Sequence, residues 1–447
     1  MSDFRSRKLN PPPTHQQINL QATPMKTLTV TDFSCIQKAT LEISQLTLII
    51  GPQASGKSIL CKLAYFLLDC IQTQHNSIVK KESYERFINS VKERFVEWFP
   101  PSAWGEKRFK IELSAGDFSV LIARKTYGGK VSDDFRVKFS SAFQEQYESL
   151  LAVVQNAAQK EKGATARAIW DFDWELRQTI MKSMKELMKR DNVSYQAFVP
   201  AGRSFFTSIG KAIAAFEQGR VLDPLILRFG RMYTSYRDRE LYIREEKSTD
   251  LAIRKTVEKS MAELLGGVIE RDGESDFVRA TDGRKIPISA LSSGQQELLP
   301  LIVFMPWLYG GGVDRQCYIE EPEAHLFPAA QSRLIESLVT ASSLTTTGAG
   351  LVLTTHSPYV LTKVNNLLKA GEISRHLSEP GKKALETIIP RKAWLQAKNV
   401  RAYAIKEGKL ISILESDGLI SADYLDEVSG DLGREFGSLL ALEEKID

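Results

Sequence analysis

The segment Leu46-Thr47-Leu48-Ile49-Ile50-Gly51-Pro52-Gln53-Ala54-Ser55-Gly56-Lys57-Ser58 decides the fold class. Its first five residues are a short apolar run, the pattern of a strand buried on both faces. The run stops at Gly51 and enters GxxxxGK[ST], a phosphate-binding loop. Glycines let the backbone wrap around phosphate groups, and loop amides with the N-terminus of the next helix supply positive potential. In such a loop Lys57 meets the β- and γ-phosphates and Ser58 holds Mg²⁺. The candidate nucleotide-binding residues are therefore Gly51, Pro52, Gln53, Ala54, Ser55, Gly56, Lys57 and Ser58. The apolar stretch Ile59–Leu68 supplies the helix that the motif requires. The plainer alternative is a glycine-rich strand–helix turn without a ligand.

On the N-terminal side, Lys26–Phe33 and Ala39–Ile43 alternate as strands do. Residues 1–25, with Pro11, Pro12 and Pro13, are expected to form a flexible tail without an apolar signal segment. On the C-terminal side, a long middle stretch mixes amphipathic helical pieces (Tyr84–Phe99, Trp174–Lys189) with strand-like pieces (Arg108–Leu113, Phe118–Arg124). It sustains no heptads, so a long coiled coil is not expected. Strand signals return at Gln316–Ile319 and Leu351–Thr355, with a helical pattern at Ala329–Ala341 between them. This alternation marks an α/β fold with a parallel sheet. After Val400, two short strands (Ala402–Ile405, Leu410–Ile413) and two short helices are expected.

The 447 residues suggest two to three domains' worth of chain. With 43% hydrophobic and 26% charged residues, extensive disorder is excluded. Lys+Arg is 59 and Asp+Glu is 55, so the net charge of +4 excludes a histone-like protein. Between 181 and 260 there are 16 Lys/Arg against 10 Asp/Glu. Cys35, Cys61, Cys70 and Cys317 form no CxxC pair, which argues against a zinc ribbon or disulfide scaffold and for a cytoplasmic location. No apolar run reaches the roughly 20 residues that span a bilayer, so no membrane partner is expected.

A second motif is Cys317-Tyr318-Ile319-Glu320-Glu321-Pro322-Glu323-Ala324-His325-Leu326. An apolar strand here delivers two adjacent carboxylates to the C-terminal edge of the sheet, where open α/β sheets bind ligands. Neighbouring residues at a strand end point in different directions. Glu320 is assigned to the metal and Glu321 to the general base that activates water. The alternative is an acidic helix start, favoured by the helix dipole. A third motif, Leu291-Ser292-Ser293-Gly294-Gln295-Gln296-Glu297, precedes an apolar helical run, Leu298–Leu308. Ser292 and Ser293 are natural helix caps, and a Ser-Gly pair at a helix start is also an anion site. A fourth is His356, directly after the strand Leu351–Thr355.

Ser292, Ser293, Gly294 and Gln295 resemble the signature motif of ABC-type ATPases, which in that class completes the nucleotide site of a second protomer. His356 resembles the switch histidine that contacts the γ-phosphate. Glu323 and His325 lie where the class has the loop that crosses its dimer interface. EEPEAHLFP followed by TTHSP is similar to the OLD/RecF-like branch of ABC-type ATPases, often labelled AAA-family ATP-binding proteins. Transporter subunits and SMC proteins fit less well, the former for lack of a long insert and the latter because this insert has no coiled coil.

The resemblance implies an α/β, ABC-type P-loop ATPase with a mixed sheet and a long, mostly helical insertion between P-loop and signature. It divides the chain into a tail (1–25), a first ATPase part (26–70), an insertion (71–284), a second ATPase part (285–370) and a small α/β extension (371–447). It implies ATP and Mg²⁺ as cofactors and a homodimer or higher homo-oligomer through composite ATP sites. Where the branch commonly has Asp, this chain has Glu320. Many members serve genome maintenance or anti-phage defence. The only DxD, Asp171-Phe172-Asp173, falls in a helical pattern and reads as a solvated helix face, so neither a TOPRIM nor an HNH nuclease is legible. The resemblance therefore points to an ATPase working with a separate effector, a nuclease or TOPRIM-type protein, as in the Septu and PARIS systems. The alternatives are a RecF-like repair ATPase that binds DNA and a slow-turnover assembly scaffold. The segment Phe198-Val199-Pro200-Ala201-Gly202-Arg203 also looks like a recurring piece of the branch. Arg203 is open to two readings, a contact to nucleotide or dimer and a satisfied structural arginine.

Overall fold

Leu46–Ile50 is a strand with all five residues buried. It is covered on both faces, as its unbroken apolar run requires. The computed structural model describes residues 26–160, 166–209, 222–239, 251–272, 275–309, 314–344 and 349–421. The N-terminal tail (1–25) and the helices expected near the C-terminus (422–447) lie outside the described residues.

The chain opens with β1 (Lys26–Phe33), β2 (Ile36–Ile43) and β3 (Leu46–Ile50), followed by α1 (Lys57–Val79) and α2 (Tyr84–Trp98). An antiparallel run, β4 (Lys110–Ala115), β5 (Phe118–Tyr127) and β6 (Lys130–Phe139), precedes α3 (Ser141–Lys160) and α4 (Ala166–Met188). Next come β7 (Tyr195–Val199), α5 (Ser204–Ile209), α6 (Pro224–Arg239) and α7 (Leu251–Leu265). A small sheet, β8 (Gly267–Asp272), β9 (Ser275–Ala280) and β10 (Lys285–Pro287), leads to α8 (Ser293–Tyr309). The last third contains β11 (Arg315–Glu320), α9 (Pro328–Ser342), β12 (Ala349–Thr355), α10 (Pro358–Ile373), α11 (Glu379–Glu386), β13 (Val400–Lys406) and β14 (Lys409–Ser412).

The main sheet has 11 strands in the order β6-β5-β4-β1-β2-β14-β13-β3-β12-β11-β7. Strands β13, β3, β12, β11 and β7 are mutually parallel, whereas the β6-β5-β4-β1-β2 wing is antiparallel. The sheet is therefore mixed, as expected, and the middle of the chain contributes strands to both of its parts. Strand boundaries differ by a few residues from the sequence pattern. The helix after the P-loop runs to Val79, well past Leu68, because its apolar face continues through Cys70, Ile71 and Ile78.

Period-two alternation splits the core between two layers. Ile49, Tyr318, Val352 and Phe198 face a layer with α1 to α4, rich in aromatics such as Phe33, Phe66, Phe95 and Trp104. Leu46, Leu48, Ile50, Ile319 and Leu353 face the other layer, which includes α7 to α10. No described helix is long and apolar enough to cross a membrane.

The segment leading to β13 packs flush on α10. A Cβ on Gly371 would lie 1.7 Å from the Leu395 carbonyl oxygen. Leu395 N–H in turn donates to Leu367 O at 3.0 Å. Gly371→Ala must displace that segment, so urea denaturation should show a loss of about 1–3 kcal/mol, the usual cost of overpacking. Unchanged stability would mean that the segment moves freely.

Candidate active site

Sheet register assembles the site. Ile50 pairs with Thr355, and Glu320 pairs with Thr354. The loops after β3, β11 and β12 thus leave the sheet side by side, at the carboxyl edge where α/β proteins place ligands.

The loop after β3 turns through Ala54 (φ 58°) and Gly56 (φ 103°). Two features favour glycine at position 56. Its φ is one that residues with a Cβ rarely adopt, and a Cβ would lie 2.4 Å from Ile36 Cδ1 and 2.9 Å from Cys35 Sγ. Helix α1 starts at Lys57 with neither a side-chain cap nor an acidic residue in its first turn. Its first amides are left for an anion. Lys57 Nζ folds back and donates to Gly51 O at 2.8 Å and Pro52 O at 2.7 Å. Burial lowers its pKa, while Glu321, Glu320 and Glu323 act in the opposite direction. Ser55 Oγ is buried without a hydrogen-bond partner, and Ser58 is exposed at the helix start.

β11 ends at Glu320, which is buried. One of its oxygens accepts from Ala201 N–H at 3.3 Å, and the other, Oε1, is buried without a partner. Glu321 has φ 42°, and its N–H donates to Thr354 O at 3.0 Å. Its Oε1 lies 2.9 Å from His356 Nε2, and both side chains are partly exposed. The adjacent carboxylates therefore occupy different environments. The acidic-helix-start alternative does not hold, because the next helix begins at Pro328 and carries no acidic residue in its first turn.

Glu323, whose role the sequence left open, is buried. It accepts from Thr355 Oγ1 at 2.6 Å and from His356 N–H at 2.9 Å. It anchors the backbone that presents the histidine. Ser357 then caps α10 by accepting from Tyr359 N–H at 3.2 Å.

The segment Ser292–Gln295 is a reciprocal capping box. Ser292 N–H donates to Gln295 Oε1 at 3.0 Å, and Gln295 N–H to Ser292 Oγ at 3.4 Å. Ser292 and Ser293 are exposed. Gln295 Nε2 donates to Leu265 O at 2.7 Å. A Cβ on Gly294 would lie 2.8 Å from His325 O, so this helix start rests on the loop that follows the carboxylates. Arg203 is completely buried and bonds to the backbone of Glu320 and Glu321 rather than facing a ligand. Its partner Glu297 is the last residue of the signature-like segment, where the sequence assigned it no role of its own. Asp173 lies on α4 and pairs with Arg177 at 2.9 Å and with the buried His75 of α1 at 3.1 Å, so this position is a half-exposed contact to α1 rather than a freely solvated face.

The AAA ATPase domain family matches residues 130–361, just over half of the chain. The match takes in the signature-like segment, the carboxylates and His356, and begins after the P-loop. No curated protein matches the chain. Among solved structures, an SmcHead bound to the C-winged helix domain of ScpA is similar at 13% identity and a TM-score of 0.40, covering 87% of this chain and 97% of that one. The SMC head domain from Thermotoga maritima is similar at 12% identity and a TM-score of 0.36, covering 88% of this chain and 98% of that one.

Gly56→Ala should strain the loop while leaving the sheet intact. Because this φ is present without ligand, alanine relaxes the loop away from it, and a cost of about 1.4 kcal/mol to restore the conformation on binding weakens affinity tenfold. Titration with a fluorescent ATP analogue should therefore show at least about a tenfold loss of affinity. Wild-type affinity in the folded variant would remove the loop from the binding site.

Proposed function

Because this chain belongs to the AAA ATPase domain family, we propose that the carboxyl edge of its sheet binds and hydrolyses ATP as an ABC-type molecular switch. Residues Gly51 to Ser58 hold the phosphates, through the loop amides, the uncapped start of α1 and Lys57. Magnesium fits the donor set. Ser58 and the unpartnered Glu320 Oε1 are hard oxygen ligands, and Mg²⁺ takes few protein ligands beside phosphate and water. When bound, the ion would neutralise phosphate charge. Glu321 takes the proton from the attacking water. His356 holds the Glu321 carboxylate and, being at the same edge, contacts the γ-phosphate. The observation that carries this reading is the Glu321–His356 contact at 2.9 Å, made by a glutamate held at φ 42°. Non-glycine residues in this region cluster at functional sites.

The signature-like residues Ser292, Ser293, Gly294 and Gln295 complete the site of a second copy. In support, the adjoining loop exposes Phe327 at 79%, an apolar side chain suited to burial against another protomer. The output of the switch goes to a separate effector, a nuclease or TOPRIM-type protein, in anti-phage defence. This part rests on the resemblance of EEPEAHLFP and TTHSP and on the absence of a legible nuclease motif. A direct DNA clamp draws little support from the basic stretch 181–260. Within it Lys185, Lys189, Arg203, Arg228, Arg237 and Arg254 all pair with carboxylates of the same chain.

Glu321→Gln keeps size and hydrogen-bonding reach but cannot take a proton. Hydrolysis should fall by about 10²-fold or more, with ATP retained on the protein after gel filtration. Glu320→Gln should instead lose Mg²⁺-dependent nucleotide binding. The opposite pattern would exchange the two roles, and undiminished hydrolysis in both would place the base elsewhere.

Ser293→Asp, at an exposed position of the same segment, places a carboxylate where the neighbour's γ-phosphate would sit. It should leave ATP binding to the P-loop intact while nucleotide-dependent self-association and hydrolysis fall. Full activity would reduce this segment to a capped helix.

A further inference from the structure

Arg203 is the largest polar side chain among the fully buried residues described, at 0% exposure. A buried guanidinium is costly unless its donors are all engaged, and well-packed apolar residues often serve stability equally well. Its environment therefore calls for an explanation. Nε donates to Glu297 O at 3.1 Å. Nη1 donates to Pro200 O at 3.1 Å and to Glu320 O at 2.7 Å. Nη2 donates to Glu321 O at 3.0 Å and lies 3.5 Å from Glu297 Oε2. Glu297, itself buried on α8, also accepts from Arg203 N–H at 2.9 Å and from Ser204 N–H at 3.1 Å.

The two forks of the guanidinium thus grip the carbonyls of consecutive residues, Glu320 and Glu321. These are the residues where the β11 ladder ends and the chain turns to φ 42° at Glu321. From the other side, Glu321 N–H bonds to Thr354 O. Together these contacts over-determine a backbone conformation that is uncommon for residues other than glycine. Ala201, in the same loop as Arg203, donates to the Glu320 carboxylate at 3.3 Å. One short loop after β7 therefore touches the side chain of one carboxylate residue and the backbone of both.

We infer that Arg203 is a positioning residue: anchored by Glu297 of α8, it holds the backbone of Glu320 and Glu321 so that the Glu321 carboxylate faces the reacting water. The inference rests on the reading of Glu321 as general base. Lysine cannot replace it, because a single ammonium lacks the fork that spans two carbonyls.

Two variants test this, Arg203→Lys and the double variant Arg203→Met/Glu297→Gln. The double variant removes both charges together and keeps one acceptor for the loop amides. Each is assayed for thermal melting, for affinity toward a fluorescent ATP analogue, and for KM and kcat. Misplacement of a reacting group by about 1 Å costs on the order of 10²-fold. Both variants should therefore lose about 10- to 100-fold in kcat, with KM and nucleotide affinity within about twofold of wild type. Retention of kcat in either folded variant overturns the proposal. So does a loss of affinity parallel to the loss of kcat, or failure of both to fold, since each of those assigns Arg203 to structure alone. Glu321→Gln is run alongside. If it leaves hydrolysis intact, the base assignment has failed; if it abolishes hydrolysis while the Arg203 variants do not, only the positioning role has failed.

Discussion

The register of β12 is the constraint on which the site depends. This strand is paired in parallel on both sides, to β3 and to β11. Those two ladders bring the end of the P-loop strand, the carboxylate strand and the histidine strand to one edge. Side chains alternate with a period of two, so a slip of one residue would invert every face. Leu351 and Leu353 of β12 would then leave one core layer while Val352 left the other. Burial of both faces makes such a slip prohibitive. The position of the site is thus a consequence of hydrophobic packing far larger than the site itself.

Electrostatics works within that frame. Glu320, Glu321 and Glu323 gather near Lys57, and Arg203 lies behind them. Burial disfavours both cations, and the carboxylates oppose that effect. Glu320 Oε1, Glu323 Oε2 and Ser55 Oγ are among the buried polar atoms of the described residues that have no hydrogen-bond partner. Buried polar atoms without partners are rare in folded proteins and invite an incoming group. These three belong to the loop after β3 and to the end of β11 and the loop that follows it. Nearby Cys61, buried and facing the same charges, has its thiol pushed well above its usual pKa, chiefly by burial, and stays neutral.

Much of this was legible in the chain. A five-residue apolar run ending in GPQASGKS is readable because strand burial and loop chemistry are both local. The carboxylate pair and His356 were legible for the same reason, each following directly on a short buried strand. Element boundaries were less so. Helix α1 runs to Val79, its apolar positions Cys70, Ile71 and Ile78 continuing past the unbroken apolar stretch with polar residues between them, and α3 and α4 pack against it.

The sequence by itself determined the fold class, the glycine-rich strand–loop–helix segment and the residue types at the carboxylate edge, since periodicity and turn chemistry are written into neighbouring residues. Only the tertiary structure decided who partners whom. Glu297 and Arg203 are 94 positions apart, and Arg203 and Glu320 are 117 apart. Glu323 meets Thr355 across 32 positions. A buried polar group must find a partner, but the requirement names no particular residue. Sheet register and the packing of α8 against the loop after β7 supply that choice, and with it the geometry that sets Glu321 beside His356.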